Sequence, residues 1–347
     1  MTDATWEALS NQAVAAAGLV YFLALLAHLV ELSAGRRAVA AVPVAVGGTA
    51  SHDDAVAPRA RAADAVRRET MMGRLGVLLT LIGAGVHLLA LVARGLAADP
   101  NRVPWGNMYE FTLSGTFVVA AIYLLLLRRY SLAWMAPIVV GVVLTLLMVA
   151  VIWLYKPIAP LMEALQSPWL VIHVVSAIIA TGAFTIGGIC SVLYLLKSRR
   201  GAGERGYLAR VPSLEDLDRL SYRIHAFGFP VWTFAVLITG PIWAHQAWSS
   251  YWNWDPKEVW AFITWVVYAA YLHARATAGW RGRNAALLAL LGLATLWFNF
   301  IGINFFSTTS QHSYAAPASA VVVGVPVEAA QEVGVVVGAE GTPRLGP

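Results

Sequence analysis

Residues 167–197 read SPWLVIHVVSAIIATGAFTIGGICSVLYLLK, an apolar run with no Asp, Glu, Lys or Arg until Lys197 closes it. A helix needs about 20 consecutive apolar residues to cross the hydrocarbon core of a bilayer, so this run is long enough to span one. Seven further apolar runs flank it, at about 12–33, 73–95, 107–127, 131–155, 219–245, 258–276 and 285–306. Backbone polar groups in lipid must be paired internally, which leaves helices or a closed barrel. Long continuous runs select helices over the ten-residue alternation of barrel strands. The predicted fold is an all-α polytopic membrane helical bundle with about eight transmembrane helices.

The composition agrees. Of 347 residues, 59% are apolar and 12% charged, and the mean hydropathy is +0.66. Soluble domains are about 45–50% apolar and about 25% charged, so a soluble enzyme or a disordered chain is excluded. The net charge of +5 does not point to nucleic acid, because the basic residues cluster between apolar runs. Nineteen of the 24 Lys and Arg residues fall in or beside the segments after runs one, three, five and seven. Basic loops stay in the cytoplasm, so both termini are expected on the extracytoplasmic side. Run one has no basic residue ahead of it and carries Asp3 and Glu7, so it reads as an uncleaved first helix over 1–33. Residues 34–72 read as a cytoplasmic Ala/Arg-rich linker, partly helical, and 73–316 as the membrane core. Residues 317–347 read as a mobile extracytoplasmic tail. The single cysteine, Cys190, rules out an internal disulfide and any dithiol. No GxxxxGK[ST] motif occurs, so nucleotide use by this chain is not expected.

One connection stands out. Between Trp243 and Trp260 lie five of the fourteen tryptophans, namely Trp243, Trp248, Trp252, Trp254 and Trp260, interleaved with Tyr251, Asn253, Asp255, Pro256, Lys257 and Glu258. Tryptophan favours the headgroup region, and an interfacial belt is one reading. A platform for a large flat ligand is the other, since indole faces stack on π-systems and Lys257 can meet an anionic group. Composition leaves both open.

The eight histidines sort by depth on this topology. His173, His245 and His312 fall at the outer side, and His87 lies in the outer half of its span. His28, His225 and His273 fall toward the inner half, and His52 in the linker. His273 is fifteen residues past Glu258, roughly 22 Å along a helix. Two imidazoles can fill both axial positions of haem iron, and His173 and His312 share a face with the tryptophans. Intramembrane histidines are costly and usually functional, which singles out His273 and His87. His245 is a rival axial ligand. Glu110, in the run Trp105–Phe111, reads equally as a buried carboxylate with a role and as an interfacial one without.

The run Trp248-Ser249-Ser250-Tyr251-Trp252-Asn253-Trp254-Asp255-Pro256-Lys257-Glu258-Val259-Trp260 resembles the tryptophan-rich WWD signature of haem-handling membrane proteins. Ser221-Tyr222-Arg223, Gly228-Phe229-Pro230, Trp265, Tyr268, Tyr271-Leu272-His273, Gln311-His312-Ser313-Tyr314 and the segment Trp105–Phe111 match with it. Together they resemble the CcsA (ResC-type) subunit family of the system II cytochrome c synthase, labelled CcsB in some lineages, over roughly 71–315. The chain departs from the family's frequent glycine at Ser249 and Asn253, and from a small residue at Pro241.

The resemblance implies a cytochrome c haem-lyase (synthase) subunit of a bacterial plasma membrane complex. With a ResB-type (CcsB-like) partner it would export haem b and promote its thioether attachment to CxxCH motifs of apocytochrome c. It implies His173 and His312 as outer ligands of haem iron and His273 as the ligand in transit. Trp243, Trp248, Trp252, Trp254 and Trp260 would hold the ring, Asp255 would order the segment, and Lys257 or Arg102 would meet the propionates. A separate thiol reductant and membrane lipid complete the expected partners, and no nucleic acid is among them. Two alternatives come from other classes. A haem exporter without ligase activity would show related halves with broken spans. A b-type electron-transfer protein would pair histidines such as His87 and His273, which fall at different depths.

Overall fold

The computed structural model describes residues 2–40, 52–130, 132–160, 165–200, 206–307 and 310–312. The 317–347 tail, Ser313 and Tyr314, and residues 41–51 of the linker lie outside them. Helices α1 (Asp3–Ala40) and α2 (His52–Leu96) run far past the first two apolar stretches. The described linker residues are therefore helix, as their Ala and Arg content favours. Just before the second apolar stretch Glu69 pairs with Arg210, which ties the α2 extension to the short turn 206–211.

Next come α3 (Met108–Leu127) and α4 (Ala136–Val149), the latter passing into a π-helical turn, Ala150–Leu154. Helix α5 is Pro168–Arg200. Helix α6 (Leu214–Thr233) continues through a π-helical segment, Phe234–Thr239, into α7 (Gly240–Trp248). Helix α8 is Pro256–Ala276. Helix α9 (Arg283–Trp297) passes through a third π segment, Phe298–Gly302, into α10 (Ile303–Phe306). Caps follow the sequence: Asn107, Ser213 and Asp255 each accept a backbone N–H at the start of α3, α6 and α8.

Seven helices among the described residues are long and apolar enough to cross a membrane. The eighth expected run is present as α8, 21 residues long. It is not among the seven, because Trp260, Trp265, Tyr268, Tyr271, His273 and Arg275 replace aliphatic residues along it. Leu19, Leu81, Ile152, Trp153 and Leu291 stay exposed on the flanks, the surface a bilayer covers.

Among the described residues the buried apolar side chains form two groups. One joins α1 to α4 with parts of α5 and α6, around Tyr21, Leu113, Tyr123, Val143 and Ile186. The other joins α5, α6, α8 and α9, around Phe184, Trp232, Tyr268 and Leu296. Helices α5 and α6 belong to both.

Candidate functional site

At the end of the bundle where α7 meets α8, a cavity of about 300 Å³ opens between the two groups. Its walls come from α3 (Met108, Phe111, Thr112), α5 (His173, Ala177), the α6–α7 continuation (Val236, Gly240, Trp243), the start of α8 with the connection before it (Trp252, Lys257, Glu258) and the last π turn (Asn299, Phe300), with His312. Predominantly apolar walls with a few placed polar groups are the usual form of a ligand site.

The connection after α7 is built by backbone geometry. Helix α7 stops at Ser249, whose φ of 57° and ψ of 21° are left-handed, and its N–H donates to the His245 carbonyl. The glycine that the resemblance implies at this position is the residue that takes such a conformation without steric cost. Trp254 is also left-handed, at φ 57°. Pro256 then opens α8 behind Asp255, in a reciprocal capping box with Glu258. Glu258 Oε2 accepts the N–H groups of Asn253, at 2.9 Å, and Asp255, at 3.2 Å.

Asp255 clasps the two chain segments of the site. It is buried at 4% exposure. Oδ1 accepts the Lys257 N–H at 2.8 Å, Ser310 Oγ at 3.0 Å and His312 Nδ1 at 3.0 Å. Oδ2 accepts the Gln311 N–H at 2.5 Å. Burial by itself would raise this carboxyl, but the bond and charge interaction with His312 and the two backbone donors outweigh it and hold it at about 2.

Both outer histidines expected from the sequence converge here. His173 stacks on Trp243, with centroids 6.0 Å apart and planes 15° apart. His312 meets Trp243 at 5.5 Å and Trp248 at 4.9 Å, both edge-on. His173 Nδ1 lies 2.9 Å from the Ala235 carbonyl. A carbonyl and a carboxylate only accept, so Nδ1 of each ring carries a proton, which in the neutral imidazole leaves the lone pair on Nε2. Gly240 makes room for this: a Cβ there would stand 3.2 Å from His173 Cε1 and 3.1 Å from the Ala235 oxygen.

The tryptophans divide. Trp243 is buried and Trp252 joins it on the cavity wall. Trp248 packs behind Trp243 at 4.9 Å. Trp260 packs on Phe298, 4.2 Å away, off the cavity. Trp254 is 75% exposed and meets Trp252 at 6.0 Å, edge-on. Lys257 lines the cavity. Arg102 does not, because Glu110 holds it at 2.7 Å.

His273 is not brought to the cavity. It is exposed near the opposite end of α8. His245 is exposed and stacks on Tyr251 at 4.3 Å. His87 is fully buried between Tyr21 and Phe117.

Glu110 is fully buried. It accepts Arg94 Nε at 3.1 Å, Arg102 Nη1 at 2.7 Å and the Gly106 N–H at 2.8 Å. Arg94 in turn donates to the Lys156 carbonyl at 2.6 Å. These bonds fix the cavity wall formed by Trp105, Gly106, Asn107 and Met108. Sequence reasoning missed Arg94, Gly240 and the Ala235 carbonyl. An arginine inside an apolar run was the one available signal.

Known proteins resemble this chain in sequence and in fold. The family described as "Cytochrome C assembly protein" matches residues 105–310. The "Cytochrome c biogenesis protein CcsA" of Chlamydomonas reinhardtii is 35% identical over 242 residues, 67% of each chain. That of Synechococcus sp. (strain JA-2-3B'a(2-13)) is 33% identical over 308 residues, covering 70% of this chain and 86% of the relative. A solved "Cytochrome c Heme Lyase CcmF" shares the fold, with a TM-score of 0.55 at 16% identity. The similarity covers 86% of this chain and 46% of that one. The matched region holds the Trp105–Phe111 wall, His173 and the tryptophan segment, and the chain belongs to the cytochrome c assembly protein family as a multi-pass membrane protein of the CcsA type, with a role in cytochrome c maturation.

Proposed function

We propose that this chain presents haem b at the extracytoplasmic membrane face and promotes its thioether attachment to the CxxCH motif of apocytochrome c, as the haem-lyase subunit of a plasma-membrane complex with a ResB-type partner. The observation that carries this is the pair His173 and His312. Both line one indole-walled cavity, both touch Trp243, and each has its Nδ1 proton committed elsewhere. Haem is the substrate. Its iron takes two imidazole nitrogens, its ring takes the Trp243 and Trp252 faces, and its propionates take Lys257. Trp248 backs the platform, and Trp254 and Trp260 edge it. His273, on the outward surface of α8, serves haem in transit together with the partner.

The chemistry is an addition. Each cysteine S–H adds across a haem vinyl C=C, the sulfur bonding one carbon and the hydrogen passing to the other, with no net redox change. The peptide histidine then replaces one axial ligand. Orientation is the main contribution, worth about 7–11 kcal/mol in favourable systems. Cys190 is buried and alone, so a separate protein must keep the apocytochrome thiols reduced.

The test is a reduced-minus-oxidised spectrum of the chain purified with its ResB-type partner. Wild type, His173→Gly, His312→Gly and His273→Gly are compared with and without imidazole. Wild type should carry b-type haem, and the outer variants should lose haem or synthesis and regain it with imidazole. Outer variants that keep a normal spectrum and still mature cytochrome c overturn the assignment.

A further inference from the structure

The two cavity histidines are not equivalent, and the difference lies in what holds each ring from behind. His312 Nδ1 donates to Asp255, a carboxylate at 4% exposure. Hydrogen bonds to an ionised acceptor are roughly twice as strong as neutral ones. They push electron density onto the far nitrogen, and a histidine backed by a carboxylate is a more basic metal ligand.

His173 has a neutral acceptor. The Ala235 oxygen takes the Gly240 N–H across the π turn, Thr239 Oγ1 at 3.1 Å and His173 Nδ1 at 2.9 Å. Three donors meet this carbonyl just as three meet Asp255 Oδ1, so crowding is alike at the two acceptors, and it is the missing negative charge that makes the bond from His173 the weaker backing. Packing differs as well. His312 is wedged edge-on against both Trp243 and Trp248, whereas among the described residues His173 stacks on one ring, Trp243.

We propose that the pair divides its labour: His312, with Asp255 as its positioning residue, is the permanent iron ligand, and His173 is the ligand surrendered when the apocytochrome histidine arrives. This rests on the bis-histidine haem reading above and adds an order of exchange to it. A permanent strong donor keeps haem in the cavity during the exchange. A weakly backed second ligand leaves without removing haem from the protein.

Three measurements on the chain with its ResB-type partner test it. In the wild type, CO added to the ferrous protein should displace His173. After photolysis, the remaining iron–imidazole stretch in the Raman spectrum should lie at high frequency relative to an imidazole–haem standard, as a carboxylate-backed ligand requires. His173→Gly should keep haem, whereas His312→Gly should bind it at least tenfold more weakly. Asp255→Asn keeps the α8 cap, since Asn caps as well as Asp, but removes the charge. It should keep a low-spin spectrum while ferrous iron gains at least tenfold over ferric, a rise of about 59 mV or more in midpoint potential for one electron. Asp255→Glu should recover part of that shift. Equal haem loss in the two histidine variants, or an unchanged potential in Asp255→Asn with a normal bis-imidazole spectrum, overturns the division of roles alone. No bis-imidazole haem in the wild type overturns the functional reading and this inference with it.

Discussion

Glu110→Gln tests how the cavity wall is held. The carboxylate is fully buried and takes Arg94 Nε at 3.1 Å, Arg102 Nη1 at 2.7 Å, Arg102 Nη2 at 3.3 Å and the Gly106 N–H at 2.8 Å. The amide is neutral and keeps one acceptor oxygen, so both arginines lose their anion and at least one also loses its hydrogen bond. Arg94 then has Glu7 at 3.7 Å and the Lys156 carbonyl, with its own side chain sealed from solvent. Breaking a buried ion pair from one side costs about 3–5 kcal/mol, because the remaining charge is stranded. Part of this is recovered at Arg102, whose side chain is 12% exposed, so the low end, about 3 kcal/mol, is expected. Denaturant unfolding in mixed micelles measures it. The Trp105–Met108 wall should loosen too, and added haem should bind more weakly. A double variant, Arg94→Met with Glu110→Leu, should recover much of the loss, since an apolar pair of similar volume often replaces a buried ion pair without cost. A Glu110→Gln midpoint within about 0.5 kcal/mol of wild type would refute the clamp, that being the range of ordinary surface substitutions.

Three further predictions rest on single contacts. Asp255 sits below its ordinary value of 3.8, at about 2. Its stabilisation is therefore complete above pH 3.8 and lost as pH falls toward 2. Near-UV circular dichroism of the tryptophans should report the clasp opening in that window in the wild type, and a transition unchanged in Asp255→Asn would remove this carboxylate as its cause. Gly240→Val places branched carbon against His173 Cε1 and the Ala235 oxygen. Overpacking of about 1–3 kcal/mol should weaken haem binding at least fivefold in a titration, and wild-type affinity would show that His173 does not need this position bare. His87 is fully buried and, among the described residues, neither ring nitrogen has a well-formed hydrogen bond, so His87→Leu should raise stability by about 1 kcal/mol and leave haem binding alone. A loss instead would show that the imidazole holds a polar partner.

The helices were legible because each apolar run had to be long enough for a bilayer. Their ends were not. Apolarity marks where lipid stops, while α1 and α2 continue because Ala and Arg hold a helix beyond it. The capping box Asp255–Glu258 with Pro256 could be read locally, but the second half of the clasp, Ser310 to His312, lies 55 to 57 residues further along the chain. His173 and His312 followed from resemblance to a family; spacing alone gives no pairing between residues so far apart. Glu110 stood undecided in the sequence because its partner Arg94 ends the previous helix, on the far side of a loop. Trp254 and Trp260 counted equally with Trp243 and Trp252 as composition, and backbone conformation separates them.

The least legible feature is the one that sets the geometry of the cavity. A π segment inserts a residue into an α-helix without leaving a composition signal, and such segments gather at functional sites. Phe234–Thr239 does this between α6 and α7. It makes the Ala235 carbonyl available to His173, and it sets the phase of every residue after it. Deleting Ile238, whose side chain is 47% exposed, should convert the segment to regular helix. At 3.6 residues per turn the downstream face then rotates by about 100°. Trp243 swings away from His173, and the Ala235 oxygen returns to an ordinary helical bond. Helix content measured by far-UV circular dichroism should remain, since the core of α6 against α5 is upstream, while the bis-imidazole haem spectrum is lost. A deletion variant that keeps that spectrum would mean the pairing of His173 with Trp243 is not set by the π turn.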